Sequence, residues 1–140
     1  MFPKNISLKR INSFSKDTLL SHLQIEFIKI GDNTLYAKMP VNKNNSQPMG
    51  ILHGGASVAL AESIGSVGSN IIINRELQYA VGLSINASHI RSVKKGSVIG
   101  KGVLVHIGKS THVWNIEIKN ENDQLISTCR LTVMIINKNK

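Results

Sequence analysis

The sequence predicts an α+β fold in which one long helix packs on an antiparallel sheet of five or six strands. Three observations predict it. The stretch from Leu52 to Ile73 is small and aliphatic without a proline, and it is long enough to be a helix. Apolar residues alternate at period two in segments on both sides of it. Polar turns rich in Gly, Asn and Asp separate those segments. Such a helix has apolar sides to cover, and in 140 residues the sheet is what can cover them. The whole chain, 1–140, is expected to form one domain.

The elements follow in order. Ser15 to His22 reads as a short helix with Ser15 as its N-cap. Gln24 to Ile30 and Thr34 to Met39 alternate around Gly31-Asp32-Asn33, a hairpin whose turn residues tolerate unusual φ. Pro40 to Gly50 is polar, holds two prolines and reads as a loop. The long helix comes next, then a polar link from Asn74 to Gln78. Val81, Leu83, Ile85 and Ala87 alternate with Gly82, Ser84, Asn86 and Ser88, which puts the first four on one strand face. Val98 to Ile107 is rich in Val and Ile. His112, Trp114, Ile116 and Ile118 alternate with Val113, Asn115, Glu117 and Lys119. After a turn at Asn120 to Asp123, the last strand carries Leu125, Ser127, Cys129, Leu131, Val133 and Ile135 on one face.

A formal charge of +9, from 17 basic and 8 acidic residues, invites a nucleic-acid or membrane reading. Two features oppose it. The basic residues are 13 Lys and 4 Arg beside 19 Ile and 14 Asn, and Lys, Ile and Asn share AT-rich codons. There is also no run of five or six like charges and no aromatic platform of the kind single-strand binders use. No nucleic-acid or membrane partner is expected, whereas an anionic small substrate suits a basic surface. No apolar run approaches the roughly 20 residues that cross a bilayer. Met1 to Asp17 lacks the apolar core of a secretory signal. A lone Cys129 builds neither a disulfide framework nor a cysteine metal site, so the expectation is a cytoplasmic, reduced protein. His22, His106 and His112 are not spaced as metal ligands and read as surface or strand filler; no metal and no cofactor is expected. Trp114 and Cys129 read as core.

The chemistry concentrates where the long helix begins. His53-Gly54-Gly55 opens it, and a helix start presents unpaired N–H groups and the positive end of the dipole. Gly54 N–H could donate to a ligand oxygen, or the two glycines could simply let the chain turn tightly. Glu62 stands among Leu60, Ala61, Ile64 and Val67, where a carboxylate is either bonded to a neighbour or functional. Ser66 lies one turn later and could orient Glu62 or a water. Gly54 and Glu62 are eight residues apart, about 12 Å along a helix, so one carbonyl cannot easily meet both from the same copy. Two antiparallel copies would bring Gly54 of one to Glu62 of the other, and the small stripe Ser57, Ala61, Gly65 and Gly68 would allow that approach.

The run Gln47-Pro48-Met49-Gly50-Ile51-Leu52-His53-Gly54-Gly55, continuing to Glu62-Ser63-Ile64-Gly65-Ser66, resembles the active-site signature of the hotdog-fold thioesterases. It is similar to the glutamate-using 4-hydroxybenzoyl-CoA branch, and within it to bacterial enzymes acting on 1,4-dihydroxy-2-naphthoyl-CoA or on misloaded aryl carrier protein. The similarity extends through Gly82 to Ser92 and Trp114 to Ile118, covering roughly residues 20–136. The resemblance implies an acyl-CoA or acyl-carrier-protein thioesterase needing no cofactor, working as a dimer with shared sites and assembling to a tetramer. Glu62 would be nucleophile or general base, and Gly54 N–H would polarise the carbonyl. Gln47 and His53 would position the thioester, and Ser66 would hold the water or the carboxylate. Val67 stands where a larger side chain is often found and would shape the acyl pocket. His89, on the strand face shared with Val81, Leu83 and Ile85, would line that pocket from the partner subunit. Arg91, Ser92 and Lys109 would meet the CoA phosphates or form a solvated basic rim. A thioester carbonyl is already electrophilic and thiolate leaves well, so polarisation plus one activated nucleophile suffices. Other readings stay open. A hydratase or dehydratase would use His53 with Glu62, and a non-catalytic acyl-CoA or nucleic-acid binder would need neither.

Overall fold

The computed structural model describes residues 2–139. Two short helices, α1 (Leu8–Ser13) and α2 (Leu19–His22), precede β1 (Glu26–Ile30) and β2 (Thr34–Pro40). The long helix α3 (Gly54–Ile72) follows, then β3 (Gln78–His89), β4 (Ser97–Ile107), β5 (Thr111–Asn120) and β6 (Leu125–Asn137). The strands form one antiparallel sheet in the order β1-β2-β4-β5-β6-β3. Helix α3 crosses one face and delivers the chain from β2 to the opposite flank, where β3 pairs only with β6. Among the described residues, no helix is long and apolar enough to cross a membrane.

The core lies between α3 and the sheet. Leu60, Ala61 and Ile64 are fully buried against a sheet face carrying Leu35, Met39, Val98, Trp114, Ile116 and Leu131. Each large side chain buried there contributes about 1.5–3 kcal/mol, which is why this helix, though Gly- and Ser-rich, holds. The small stripe Ser57, Ala61, Gly65 and Gly68 faces this same sheet and not a second copy of the helix, contrary to the expectation above. A Cβ on Gly68 would come within 2.5 Å of Trp114, and one on Gly65 would overlap Leu131. The small residues make room for the indole.

The expected face of β3 also changes. Its register with β6 shifts between Gly82 and Ser84, so Leu83 is the extra residue of a bulge. One inserted residue reverses side-chain parity. Ala80 and Gly82 therefore face α3 before the bulge, and Ile85, Ala87 and His89 face it afterwards. Val81 and Leu83 are instead 40% and 53% exposed.

At the N-terminus the cap of α2 is Thr18, not Ser15. Thr18 Oγ1 accepts from Leu20 N–H and Ser21 Oγ accepts from Thr18 N–H, a reciprocal pair that a start at Ser15 could not form. Ser15 lies in the preceding turn, its carbonyl accepting from Thr18. Helix α1, capped by Ser7, was not expected, because its apolar positions are few. It buries Ile11 and docks on β1, where Asn12 bonds both the N–H and the C=O of Phe27 at 2.8 and 2.9 Å. The packed core thus begins before the span of the family resemblance.

His112 is neither surface nor filler. It shares the helix-facing side of β5 with Trp114 and is buried. Its Nδ1 lies 3.0 Å from Ser69 Oγ, which also accepts from Trp114 Nε1 at 2.9 Å. Burial lowers the His112 pKa from its ordinary 6.5, and the neighbouring His106 lowers it further.

Candidate active site

The start of α3 is built by the loop before it. Gln47 to Gly50 closes a turn, with Gly50 N–H donating to Gln47 O at 2.9 Å. Gly50 sits at φ 76°, a conformation that favours glycine. Gln47 N–H donates to Ile51 O at 2.9 Å, and the Gln47 side-chain oxygen accepts from Met49 N–H. What the Gln47 amide can still offer is its NH2 donors. His53 N–H donates to Asn45 O at 2.8 Å and Leu52 N–H to Val93 O at 2.7 Å, which fixes the angle at which the chain enters the helix.

His53 is the N-cap, and its Nδ1 accepts from Gly55 N–H at 2.7 Å. That bond leaves Gly54 N–H, among the described residues, without an acceptor at the positive end of the helix. Gly54 lies against His89: a Cβ on Gly54 would sit 2.7 Å from His89 Nε2. The other ring nitrogen of His89, Nδ1, is 2.8 Å from Ser127 Oγ on β6. Gln47, Gly54, Ser57, His89, Arg91 and Ser92 line one cavity of about 290 Å³ with Ser127. Its lining includes Gln47, His89, Arg91 and three serines, with no Asp or Glu among the described residues. It is built to hold an oxygen acceptor or an anion.

Glu62 lines a different hollow, of about 260 Å³, with Leu19, Gly55, Val58, Ala59 and Ser63. It is half-buried, its carboxylate rests over Gly82, and among the described residues it has neither an ion-pair nor a hydrogen-bond partner. A carboxylate bonded to its own surroundings, the bland alternative for Glu62, is therefore not what the fold presents. Ser66 is half-buried one turn on and makes no bond to Glu62; its carbonyl accepts from Asn70 Nδ2 at 2.9 Å. Val67 packs partly against the core.

One chain thus brings together Gln47, Gly54, His89, Arg91 and Ser92, and leaves Glu62, Ser66 and Val67 outside the lining of that cavity. His53 borders a third hollow with Gly55 and Ala59, its ring committed to the helix cap. Lys109 does not join them. It lies in the β4–β5 turn, near Thr111 and Met134, whereas Ser127 pairs with Ile118 toward the other end of β5 and β6.

Two residues of the site escaped sequence reasoning. Ser127 sits in an alternating strand, where a serine reads as filler. Asn70 donates to Ala80 O at 2.9 Å and accepts from Ala80 N–H at 3.0 Å, clamping β3 beneath Glu62. Its signal was a polar amide near the end of an otherwise small and aliphatic helix.

The model of the thioesterase superfamily matches residues 49–127. A 1,4-dihydroxy-2-naphthoyl-CoA hydrolase of Escherichia coli is 44% identical over 136 residues, covering 97% of this chain and 99% of that protein. The crystal structure of a mutant thioesterase from Pseudomonas aeruginosa superposes with a TM-score of 0.95 at 35% identity, covering 98% of this chain and 99% of that one. A Staphylococcus aureus thioesterase, crystallised with a glutamine changed to alanine, superposes with a TM-score of 0.81 at 43% identity, over 84% of this chain and 97% of that one. The same protein crystallised with a glutamate changed to alanine gives 0.84 at 42% identity, over 86% and 99%. The six-stranded sheet wrapped on its long helix is the hotdog fold these enzymes share, and the chain belongs to the thioesterase superfamily as a thioester hydrolase.

Proposed function

We propose that the protein hydrolyses acyl-CoA thioesters, with aroyl-CoA as the preferred class, in sites shared between two copies of the chain. Water adds its oxygen to the acyl carbon, the C–S bond breaks, and a free acid and a thiol leave. Gly54 N–H of one copy polarises the carbonyl, with Gln47 NH2 beside it, and Glu62 of the other copy takes the proton from water or attacks directly. Ser66 lies one helical turn from Glu62 to hold the water, and Val67 borders the acyl group. Arg91 and Ser92 receive the CoA phosphates; Lys109 can reach them only from another copy. A carrier protein could present the thioester in place of CoA.

The observation that carries this reading is the separation within one chain. The donors line a cavity with no carboxylate, while the unpaired carboxylate lies in another hollow. A second copy completes the site, and β3 offers the place for it: an unpaired flank with exposed Tyr79, Val81 and Leu83. The helix-free side of the sheet, with Tyr36 and Ile99 around a hollow of about 330 Å³, is where two dimers would meet as a tetramer. The aroyl preference rests on the Escherichia coli relative and its substrate. The role of Glu62 gains support from the Staphylococcus structures, whose altered glutamine and glutamate stand at the same sequence separation as Gln47 and Glu62. A buried, unpaired Cys129 suits a reducing cytoplasm.

Glu62→Gln tests it. Loss of a general base or nucleophile should lower aroyl-CoA hydrolysis about a thousandfold, with the dimer intact. Thiol release at the wild-type rate would reject Glu62 as the reactive group.

A further inference from the structure

His89 and Ser127 face each other across the β3–β6 ladder as register partners. The strand ends are pinned beside them, with Ile90 N–H donating to Ile126 O at 2.7 Å. Ser127 is 0% exposed, and its Oγ lies 2.8 Å from His89 Nδ1. Among the described residues that hydroxyl has no other hydrogen-bond partner. With that side chain buried, its proton has one acceptor within range among the described residues, His89 Nδ1. Donation to Nδ1 requires the ring hydrogen to sit on Nε2, the nitrogen nearest Gly54. The opposite tautomer would leave a buried hydroxyl proton unbonded, a cost large enough to hold one form in excess.

We propose that Ser127 is a positioning residue that locks neutral His89 as its Nε2–H tautomer, so that Nε2–H and Gly54 N–H converge as two donors on one substrate oxygen. This rests on the shared-site reading of hydrolysis above. Two donors fixed before substrate arrives stabilise developing negative charge without reorganisation. Sequence order hides the pair, because 38 positions separate the two residues.

Nitrogen-15 NMR of the imidazoles at pH 8.5, with His89→Gln for assignment, reads the tautomer without any substrate. The wild-type protein should show His89 protonated at Nε2 and bare at Nδ1. Ser127→Ala should lose that single-tautomer signature and lower kcat on an aroyl-CoA on the order of tenfold, against roughly a hundredfold for an oxyanion donor lost outright. KM should stay within about twofold, and Ser127→Thr, which keeps the hydroxyl, should keep both properties. A wild-type ring protonated at Nδ1 overturns the proposal. So does a Ser127→Ala protein with unchanged kcat or an unchanged tautomer. A fully active Glu62→Gln protein would instead reject the hydrolysis reading, and leave the tautomer result standing.

Discussion

Gly82 leaves open the space that the Glu62 carboxylate occupies, for any Cβ there would overlap Oε1. The bulge one residue later keeps Gly82 facing α3 while returning the rest of β3 to pairing with β6. Strand and helix together set the height of the carboxylate. Gly82→Ala should therefore push the flexible end of Glu62 aside and leave the fold in place. Turnover is expected to fall roughly a hundredfold, as misplacement by about 1 Å does. Thermal unfolding should shift by only a few degrees. A Gly82→Ala enzyme as active as wild type would separate the position of Glu62 from catalysis.

Shared sites predict rescue by mixing. Glu62→Gln and Gly54→Ala are each expected to be inactive, the second because its methyl group collides with His89 Nε2. Heterodimers of the two hold one intact site, built from Glu62 of one chain and Gly54 of the other. Unfolding and refolding the two variants together should recover about a quarter of wild-type turnover. Sites contained within single chains would recover none.

The β3 flank gives a second handle on assembly. Leu83 is 53% exposed in the single chain, at the bulge. Leu83→Lys places a charge in the proposed contact, and like charges meet there in a two-fold pair. Sedimentation should show monomers, with hydrolysis lost at the same time. A dimeric and active Leu83→Lys protein would exclude this flank as the interface.

Acid should destabilise the protein through His112. Its pKa lies below the ordinary 6.5 because burial, helped by His106, disfavours the charged ring. Protonation then favours the unfolded chain, where the ring is solvated. This contribution to stability is fully present above pH 6.5 and is lost as the pH falls below that value. The urea midpoint should drop between pH 7.5 and pH 5, and drop less in His112→Asn. Equal losses in both proteins would place the acid sensitivity elsewhere.

Most of the strands and the long helix were legible because binary patterning is local. Trp114, Ile116 and Ile118 alternate toward one face, and they face the helix. What failed depended on neighbours distant in the chain. The bulge at Leu83 arises from pairing with Val133 and Thr132, which no window around Leu83 contains. Gly65 and Gly68 announced a close approach, but only the placement of Trp114 says to what. His112 became a core residue because Ser69, on another element, supplied its hydrogen bond. The site divided in the same way. Gln47, Gly54 and Glu62 stand in one contiguous motif, whereas Ser127 and Asn70 matter through partners that sequence order separates from them.

The two amide bonds from Asn12 to Phe27 cover the middle of one edge of the sheet, since the side chain occupies the N–H and C=O of Phe27 in β1 as a neighbouring strand would. Strand addition at Phe27 is thereby blocked, whereas β3 keeps an unpaired edge among the described residues. A chain with two open sides could keep recruiting copies into a fibre. With Phe27 occupied on one flank, edge-to-edge strand pairing would stop once the two β3 flanks of the proposed dimer meet.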